Sequence, residues 1–243
     1  MRAHGFENDT TRFLLVLFTS MLASCATVDT GIKPSFEWDE THVSPGTSLV
    51  IEETGRMSLP SPTGTLITYV IKASGFSSEE ALSLWSQREG RYLELPFTLS
   101  TSGVVRVHGN DSLAAGGFVP GQALDLALVS KTSNKRAQAK VTPFPIQAQG
   151  VGGCSASAEV VSGKGLLFLM TFKGFEPGEE VQITSDYKNE KLVRPQKATD
   201  KGEIKMPVLF GPGDRGKATA MATGKKCTVS LDYNVGKDAI VLQ

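Results

Sequence analysis

The sequence predicts an all-β fold made of two copies of one domain, and three observations support this. Short runs of alternating apolar and polar residues, separated by turns rich in Gly and Pro, recur along the chain and are typical of half-buried strands. The 25 glycines and 12 prolines among 243 residues also favour many turns. Finally, residues 74–86 match residues 173–185 without a gap. A chain of this length can form two domains, each with its own core.

The internal match has a constant offset of 99 residues. It pairs Gly75/Gly174, Phe76/Phe175, Glu80/Glu179, Leu84/Ile183, Leu93/Leu192, Gly103/Gly202 and Val105/Ile204. Because the apolar positions keep their parity, both segments predict the same strand with the same inward face. The spacing in residues 77–85 also fits a helix, but the second copy places the β-branched Val181 and Ile183 there and favours a strand.

The remaining strands follow from alternation and turn residues. In the first copy they are expected at 36–39, 49–51, 66–71, 81–86, in a hairpin over 98–108, and at 124–129 and 137–146. In the second copy they are expected at 154–161, 166–172, 181–185, 203–208, 217–222 and 227–233. Strands about ten residues apart predict a β-sandwich with Greek-key connections. The glycine-rich residues 149–153 predict a hinge between domains at 36–148 and 154–243.

The first 24 residues have the features of a cleaved export signal. Arg2 and Arg12 precede an apolar run at 13–23. This run is shorter than the roughly 20 residues needed to span a bilayer. The run ends in Leu-Ala-Ser-Cys25, which resembles the lipobox of bacterial lipoproteins. An ordinary secretory signal with an incidental cysteine is the alternative.

The lipobox resemblance implies cleavage before Cys25, a diacylglycerol on its sulfur and an acyl chain on the new amine. Several chains together would anchor the protein stably to membrane lipid. Ala26 rather than Asp follows the cysteine, and in the Gram-negative family this implies the outer membrane. Residues 25–35 are then expected to be a short tether.

The turn Gly-Phe-Glu-Pro-Gly-Glu at 174–179 and the strand spacing resemble bacterial immunoglobulin-like domains over residues 36–243. In such sandwiches the first and last strands can run side by side. Cys154 and Cys227 lie near the starts of those strands in the second domain, so the resemblance implies a disulfide, which export would permit. Two buried free thiols are the alternative.

The sequence gives no support for an enzyme, a metal site or a cofactor. His42 and His108 lack ligand-type residues at recognisable spacing. Ser185 and Lys188 match a Ser-x-x-Lys nucleophile motif, but that motif requires a helix and lies here where a strand is expected to end. Residues 211–217 have the composition of a phosphate-binding loop without its strand–loop–helix context.

Trp85, Arg88, Arg91 and Tyr92 form the candidate binding group. Because Leu82 and Leu84 carry the inward parity, Trp85 is expected to point outward and to serve as a sugar platform or a protein anchor. Burial of Trp85 by local packing is the alternative interpretation.

The balanced charge and the predicted lipid anchor together define the predicted function. Lys+Arg and Asp+Glu balance at 25 each, so no global field favours nucleic acid. The sequence predicts an outer-membrane lipoprotein that acts as a non-catalytic binding, adhesion or assembly module for another envelope protein. The alternative is a carbohydrate- or peptidoglycan-binding module that uses Trp85 and Tyr92.

Overall fold

The computed structural model describes residue 34 and residues 43–59, 64–88, 90–162 and 164–240. The expected signal segment, Cys25 and the strand expected at 36–39 lie outside these residues. The described part is all-β, with seventeen strands and one short 3₁₀ helix. Both sandwiches described below belong to one compact unit, Gly31–Gln243.

The first nine strands form a sandwich of two antiparallel sheets. They are β1 (Ser48–Ser58), β2 (Thr65–Ser74), β3 (Leu82–Arg88), β4 (Arg91–Leu95), β5 (Phe97–Leu99), β6 (Val104–Val107), β7 (Leu113–Gly116), β8 (Leu124–Ser130) and β9 (Arg136–Val141). One sheet has the order β1-β2-β6-β5, with β7 also pairing with β2, and the other has the order β4-β3-β8-β9.

The next eight strands form the second sandwich. They are β10 (Ile146–Gln149), β11 (Ser155–Val160), β12 (Leu167–Lys173), β13 (Glu180–Tyr187), β14 (Glu190–Lys197), β15 (Glu203–Leu209), β16 (Gly216–Thr223) and β17 (Thr228–Val235), followed by the 3₁₀ helix Gly236–Ile240. The sheets have the orders β10-β11-β12-β15 and β14-β13-β16-β17.

The two sandwiches share one strand order. Without β5, β7 and β10, the order β1-β2-β6 over β4-β3-β8-β9 corresponds to β11-β12-β15 over β14-β13-β16-β17. This Greek-key arrangement is immunoglobulin-like. The predicted fold class, two tandem immunoglobulin-like sandwiches, is therefore confirmed.

Equivalent residues, defined by the offset of 99, occupy equivalent places. Gly103 and Gly202 both have left-handed backbones, with φ of 81° and 69°. A Cβ at either position would collide with a backbone carbonyl, that of Ala73 in one sandwich and Phe175 in the other. Only glycine suits such a turn, so the repeat in the sequence reflects a repeated backbone constraint.

Alternating residues of the inner strands fill each core. Ile67, Tyr69 and Ile71 of β2 are almost fully buried in the first core, and Phe168, Met170 and Phe172 of β12 are fully buried in the second. The alternation matches the period of two that a strand with one buried face requires. Tyr69 and its equivalent Phe168 each belong to the core of their own sandwich.

The single strand expected at 137–146 is wrong. β9 ends at Val141, and β10 pairs with β11 of the second sandwich, with Ile146 opposite Ala158. Pro143 and Pro145 lie between the two strands and cannot donate to a ladder, which explains the break. The chain thus changes sandwich near residues 142–145, before the boundary expected from the sequence.

The glycine-rich segment expected to be a hinge belongs to the second sandwich. Val151 exchanges two backbone hydrogen bonds with Thr228, at 3.0 and 3.2 Å, and the Gly150 N–H donates to the Cys154 carbonyl at 2.7 Å. These bonds tie residues 150–154 to the start of β17. A loop with satisfied backbone groups has less freedom than its glycine content suggests.

Direct contacts connect the two sandwiches. The Lys140 ammonium donates to the Glu159 carboxylate at 2.8 Å. The Val160 N–H donates to the carbonyl of Gly121, whose own N–H donates to the Phe144 carbonyl. Gly121 approaches β11 so closely that a Cβ there would lie 2.9 Å from the Ala158 carbonyl oxygen.

Candidate functional site

Trp85 is buried, with 7% of its surface exposed, so the expectation that it forms an exposed platform is wrong. Its parity is as expected, because Leu84 belongs to the core and Trp85 lies on the opposite face of β3. Its cross-strand neighbour Ala127 on β8 is also fully buried. Strand parity determines the face on which a side chain lies, but not whether that face is covered.

Arg88 holds a loop of the first sandwich in place. Its guanidinium donates to the carbonyls of Gly116 and Gly117 and to the Gln122 side-chain oxygen, and it lies 4.2 Å from the ring centroid of Phe118. Hydrogen bonds to three acceptors and a cation–π contact fix the loop between β7 and β8. This residue therefore has a structural role.

Arg91 and Tyr92 lie at the start of β4. Arg91 is exposed and pairs across the strands with Arg88, whereas Tyr92 is half-buried and pairs with Gln87. With Trp85 buried and Arg88 engaged in the loop, the four residues do not form one exposed surface. The sequence prediction grouped them by proximity along the chain.

Cys154 and Cys227 are joined by a disulfide in the structure, with their Cα atoms 6.0 Å apart. Both are buried, and they immediately precede β11 and β17. The bond links positions 73 residues apart at one end of the second sandwich. It fixes the ends of a domain rather than forming a reactive site.

The Ser-x-x-Lys match spans a strand and a turn. Ser185 lies in β13 opposite Leu192, and Lys188 begins the two-residue turn to β14, in which Lys188 and Asn189 have positive φ values of 51° and 65°. Those values are typical of a type I′ hairpin. The helix that would place Lys188 beside Ser185 is therefore not formed here.

The 211–217 segment is a closed turn. Asp214 accepts the Gly211 N–H at 2.7 Å on one carboxylate oxygen and the Lys188 ammonium at 2.7 Å on the other. The contact with Lys188 and the N–H of Gly211 lower the pKa of Asp214, and Asp214 raises the pKa of Lys188. Both charges are thus used to hold the β13–β14 hairpin to the turn.

The described residues contain neither a candidate metal cluster nor a helix that could span a membrane. No group of three or more His, Cys, Asp or Glu side chains there could hold a metal ion. No helix among them is long and apolar enough to cross a membrane.

A groove of about 410 Å³, which the sequence analysis did not predict, opens along the second sandwich between β14 and β15. These are edge strands of the two facing sheets. The apolar side chains that line it include Tyr187, Leu192, Met206, Val208, Leu209 and Phe210. Tyr187 and Phe210 meet edge to face, with ring centroids 5.0 Å apart, so the floor of the groove is an ordered aromatic surface.

The groove exposes large apolar side chains. Leu209 on β15 is 76% exposed and Leu192 on β14 is 50% exposed. Glu190 and Arg194 add charged groups along β14. A lined apolar groove with a polar rim has the composition of a recognition surface.

In the first sandwich β5 lies along the equivalent edge, paired with β6. There the chain leaves β4 at Leu95, passes Pro96 and pairs with β6 as β5. Phe97 and Leu99 of β5 pack against the first core. In the second sandwich the equivalent proline, Pro195, lies inside β14, which stays paired with β13 as far as Lys197.

The residues at this place explain the difference. The second sandwich has Gln196 and Ala198 where the first has Phe97 and Leu99. A polar and a small side chain bring little apolar area to an edge of the core, so the segment gains little by changing sheets. The internal sequence match already indicates this difference, because the offset of 99 aligns Phe97 and Leu99 with Gln196 and Ala198.

No family model and no curated protein matches the sequence. Among solved structures, a tetra-tandem repeat in the extending region of a large adhesion protein is 13% identical, with 79% of this chain and 50% of that chain covered and a TM-score of 0.28. The chicken interferon gamma receptor alpha chain is 7% identical, with 79% and 98% covered and a TM-score of 0.24. This chain thus spans half the length of the adhesion-protein repeat. At these TM-scores, neither likeness bears on the function of this chain.

Proposed function

We propose that this chain is an envelope lipoprotein that acts as a non-catalytic binding or assembly module and binds a protein partner in the β14–β15 groove. The observation that carries the proposal is the groove itself. It exposes Leu192 and Leu209 beside an aromatic floor, and the equivalent edge of the first sandwich is covered. Apolar surface of this kind on a soluble domain marks a protein-binding site.

The lipid anchor at Cys25 completes the proposal. The lipobox-like residues support cleavage before Cys25, acylation and attachment to the outer membrane. The disulfide between Cys154 and Cys227 agrees with export to an oxidising compartment. Intact mass spectrometry of membrane-purified protein should give a mass that begins at Cys25 plus acyl chains. An unprocessed or unacylated chain would contradict the anchor.

A protein partner is favoured over a glycan. The carbohydrate interpretation depended on an exposed Trp85, which is buried. Tyr92 is half-buried as well. The groove residues, by contrast, include several aliphatic side chains, which suit apolar side chains of a protein better than sugar hydroxyls.

Site-specific photo-crosslinking in the native envelope tests the docking surface. A photoreactive residue introduced at Leu192 or Leu209 should form a covalent adduct with one defined partner. The matched control is Leu93, the equivalent of Leu192 in the first sandwich, which is 60% exposed. It should give no such adduct.

Affinity for the purified partner then measures the contribution of the groove. Replacing both Leu192 and Leu209 by Asp should weaken binding by about tenfold or more, because the variant places charge on an apolar contact surface. Leu93→Asp should leave the affinity unchanged. Equal crosslinking at Leu93, or an affinity that the double variant does not lower, would contradict the proposal.

A further inference from the structure

We infer that the protein bound at the β14 side of the groove is a second copy of this chain, paired antiparallel through its own β14 about a two-fold axis at Leu192. This inference rests on the proposed function, because it takes the β14 side of the groove as a protein-binding surface, and it identifies what binds there. Such pairing joins the β14-β13-β16-β17 sheets of the two copies into one continuous sheet.

β14 is an exposed edge strand. Its residues 190–195 are all exposed, and among them Leu192 and Val193 expose 50% and 52% of their surface. Of the described strands, only β13 pairs with β14. An exposed edge that carries large apolar side chains is a template for a further strand.

The backbone of β14 alternates between β13 and the free edge. The Ala198 N–H donates to the Glu179 carbonyl at 2.8 Å, in continuation of the β13–β14 register. Because bonding directions alternate along an antiparallel strand, Lys191 and Val193 direct their N–H and C=O groups away from β13. Pro195 belongs to the same outward series, so its missing N–H costs no bond to β13.

The side chains of β14 that face the groove carry charges that their own sandwich leaves unpaired. Glu190, Leu192 and Arg194 line the groove. Neither charge has an ion-pair partner among the described residues, and the neighbours of Glu190 and Arg194 on β13 are Tyr187 and Ile183. Residues four apart along a strand are separated by about 13 Å, so the two charges cannot pair with each other.

The opposite face of β14 is balanced within its own sheet. Lys191 lies opposite Asp186 of β13, and Lys197 lies opposite Glu180. Opposite charges directly across an antiparallel pair stabilise it. Charge compensation by a further strand is therefore needed only on the face that lines the groove.

A second copy supplies this compensation, because the pattern acidic, apolar, basic is its own complement when read in reverse. With Leu192 opposite Leu192 of the second copy, Glu190 lies opposite Arg194 of the second copy, and Arg194 opposite its Glu190. These are the non-hydrogen-bonded positions of the new pair, at which side chains come closest. Both charge pairs are then favourable.

The same register satisfies the free backbone groups. Lys191 of each copy lies opposite Val193 of the other, and each such pair exchanges two hydrogen bonds. Pro195 lies opposite Asn189, in the turn at the end of the hairpin, so the ladder ends before the missing N–H would interrupt it. A two-fold contact of this kind is closed and produces a dimer rather than a filament.

The equivalent strand of the first sandwich lacks this complementarity. At the three equivalent positions β4 has Arg91, Leu93 and Leu95. The same pairing would set Arg91 against Leu95, which is buried in the first core. The carbonyl of the next residue, Pro96, already accepts the His108 N–H at 3.0 Å. β4 is therefore a matched negative control.

Cysteine crosslinking in native membranes tests the inference. Cys154 and Cys227 are joined to each other, so Leu192→Cys places a free thiol at the proposed axis. Residues directly opposite in an antiparallel pair have Cα atoms close enough for a disulfide. Mild oxidation of Leu192→Cys should therefore give a covalent dimer that reduction reverses. Leu93→Cys and the unsubstituted chain should give none.

Two copies of different size test the register. Glu190→Cys in one copy and Arg194→Cys in the other should crosslink to each other. Neither variant should crosslink to itself, because identical positions on the two copies would be about 13 Å apart, beyond the reach of a disulfide.

Exchanging the charges tests the recognition. In the Leu192→Cys chain, Glu190→Arg should slow dimer formation about tenfold or more, because both cross-strand charge pairs become repulsive. Adding Arg194→Glu makes both pairs favourable again and should restore the rate. Lys217→Glu, at an exposed position on β16, is the matched control and should leave the rate unchanged. Unaltered circular dichroism would show that the variants fold.

Absence of the Leu192→Cys dimer, an equal yield from Leu93→Cys, or a charge exchange that leaves the rate unrestored would overturn the inference. Photo-crosslinking at Leu192 and Leu209 separates the two levels. If it captures a different protein while no Leu192→Cys dimer forms, the groove binds a partner and only the inference is wrong. If it captures nothing and no dimer forms, the proposed function is wrong as well.

Discussion

The two sandwiches share a strand order and differ at one segment, residues 97–99 in the first and 196–198 in the second. In the first, Phe97 and Leu99 pack against the core and the segment pairs with β6. In the second, Gln196 stays on β14, opposite Val181 of β13. The difference in two side chains therefore accompanies a change of sheet. With it, the edge is covered in the first sandwich and open in the second. In a duplicated domain, a small loss of apolar area at one segment can therefore leave the edge of a sheet uncovered.

A second comparison concerns the last residue of β3 and of β13 and the loop that this residue contacts. The loop follows β7 in the first sandwich and β15 in the second. Arg88 in the first sandwich and its equivalent Tyr187 in the second anchor the same loop. The Tyr187 hydroxyl donates to the Arg215 carbonyl at 3.1 Å and accepts the Arg215 N–H at 3.0 Å. Different chemistry at one position thus performs one structural task, and proximity to Trp85 gave Arg88 the misleading appearance of a binding residue.

Removing the disulfide should give the largest difference between the sandwiches. Cys154→Ser with Cys227→Ser should destabilise the second sandwich by about 4 kcal/mol and affect the first much less, since the bond closes a loop only in the second. Both tryptophans precede residue 142, so fluorescence reports on the first sandwich through Trp85.

Urea unfolding followed by two probes checks this. In the variant, the circular dichroism should show a transition at lower urea that tryptophan fluorescence does not follow. Dithiothreitol should have the same effect on the unmodified chain and none on the variant. Coincident transitions for both probes would contradict a stabilisation confined to the second sandwich.

The next largest effect should come from making the first sandwich resemble the second. Phe97→Gln with Leu99→Ala should lower the free energy of unfolding by about 3 kcal/mol, because two partly buried apolar side chains leave the core. Tryptophan fluorescence in urea measures this. The variant should also expose the β6 edge, detected as faster amide exchange of Arg106. Unchanged exchange at Arg106 would show that β5 stays paired without its apolar anchors.

The sequence predicted the architecture better than the site, for physical reasons. The offset of 99 carries the strand parity and the turn glycines, which local chemistry dictates, so β3, β6 and their copies β13 and β15 were predicted closely. Parity says nothing about what covers a sheet face, so the sequence left both an exposed and a buried Trp85 open, and the structure shows it buried. The groove depends on which sheet a segment joins, a choice between two long-range pairings that local alternation leaves undecided.

A smaller and opposite effect is expected from Tyr69→Phe, which gives the first sandwich the residue found in the second. Tyr69 is fully buried, its hydroxyl has no hydrogen-bond partner among the described residues, and burial raises its pKa to about 12. An unsatisfied buried hydroxyl destabilises the folded state. The variant should therefore be more stable by about 1 kcal/mol in urea unfolding. A loss of stability would indicate that the hydroxyl does have a partner in solution.

The smallest effect concerns the equivalent carboxylates Glu80 and Glu179, which tie the turn before β3 or β13 to the hairpin that follows β8 or β16. Glu179 accepts the backbone N–H groups of Lys225 and Glu176, and these bonds lower its pKa. The hydroxyl of Ser130 is the main cause that lowers the pKa of Glu80. Backbone donors in one sandwich thus replace a side-chain donor in the other.

A lowered pKa in the folded state gives a stabilisation that is present above the ordinary value of 4.5 and is lost as the pH falls through the folded value. Unfolding free energies measured by urea between pH 7 and pH 2 should therefore decline below pH 4.5. The decline should be shallower in Glu179→Gln, which cannot titrate, while the exposed neighbour Glu180→Gln should retain most of it. As the pH is lowered, circular dichroism should detect the loss of stability at a higher pH than tryptophan fluorescence does, because the lost contact belongs to the second sandwich. If Glu179→Gln keeps the full acid slope, the hydrogen bonds from Lys225 and Glu176 do not survive in solution.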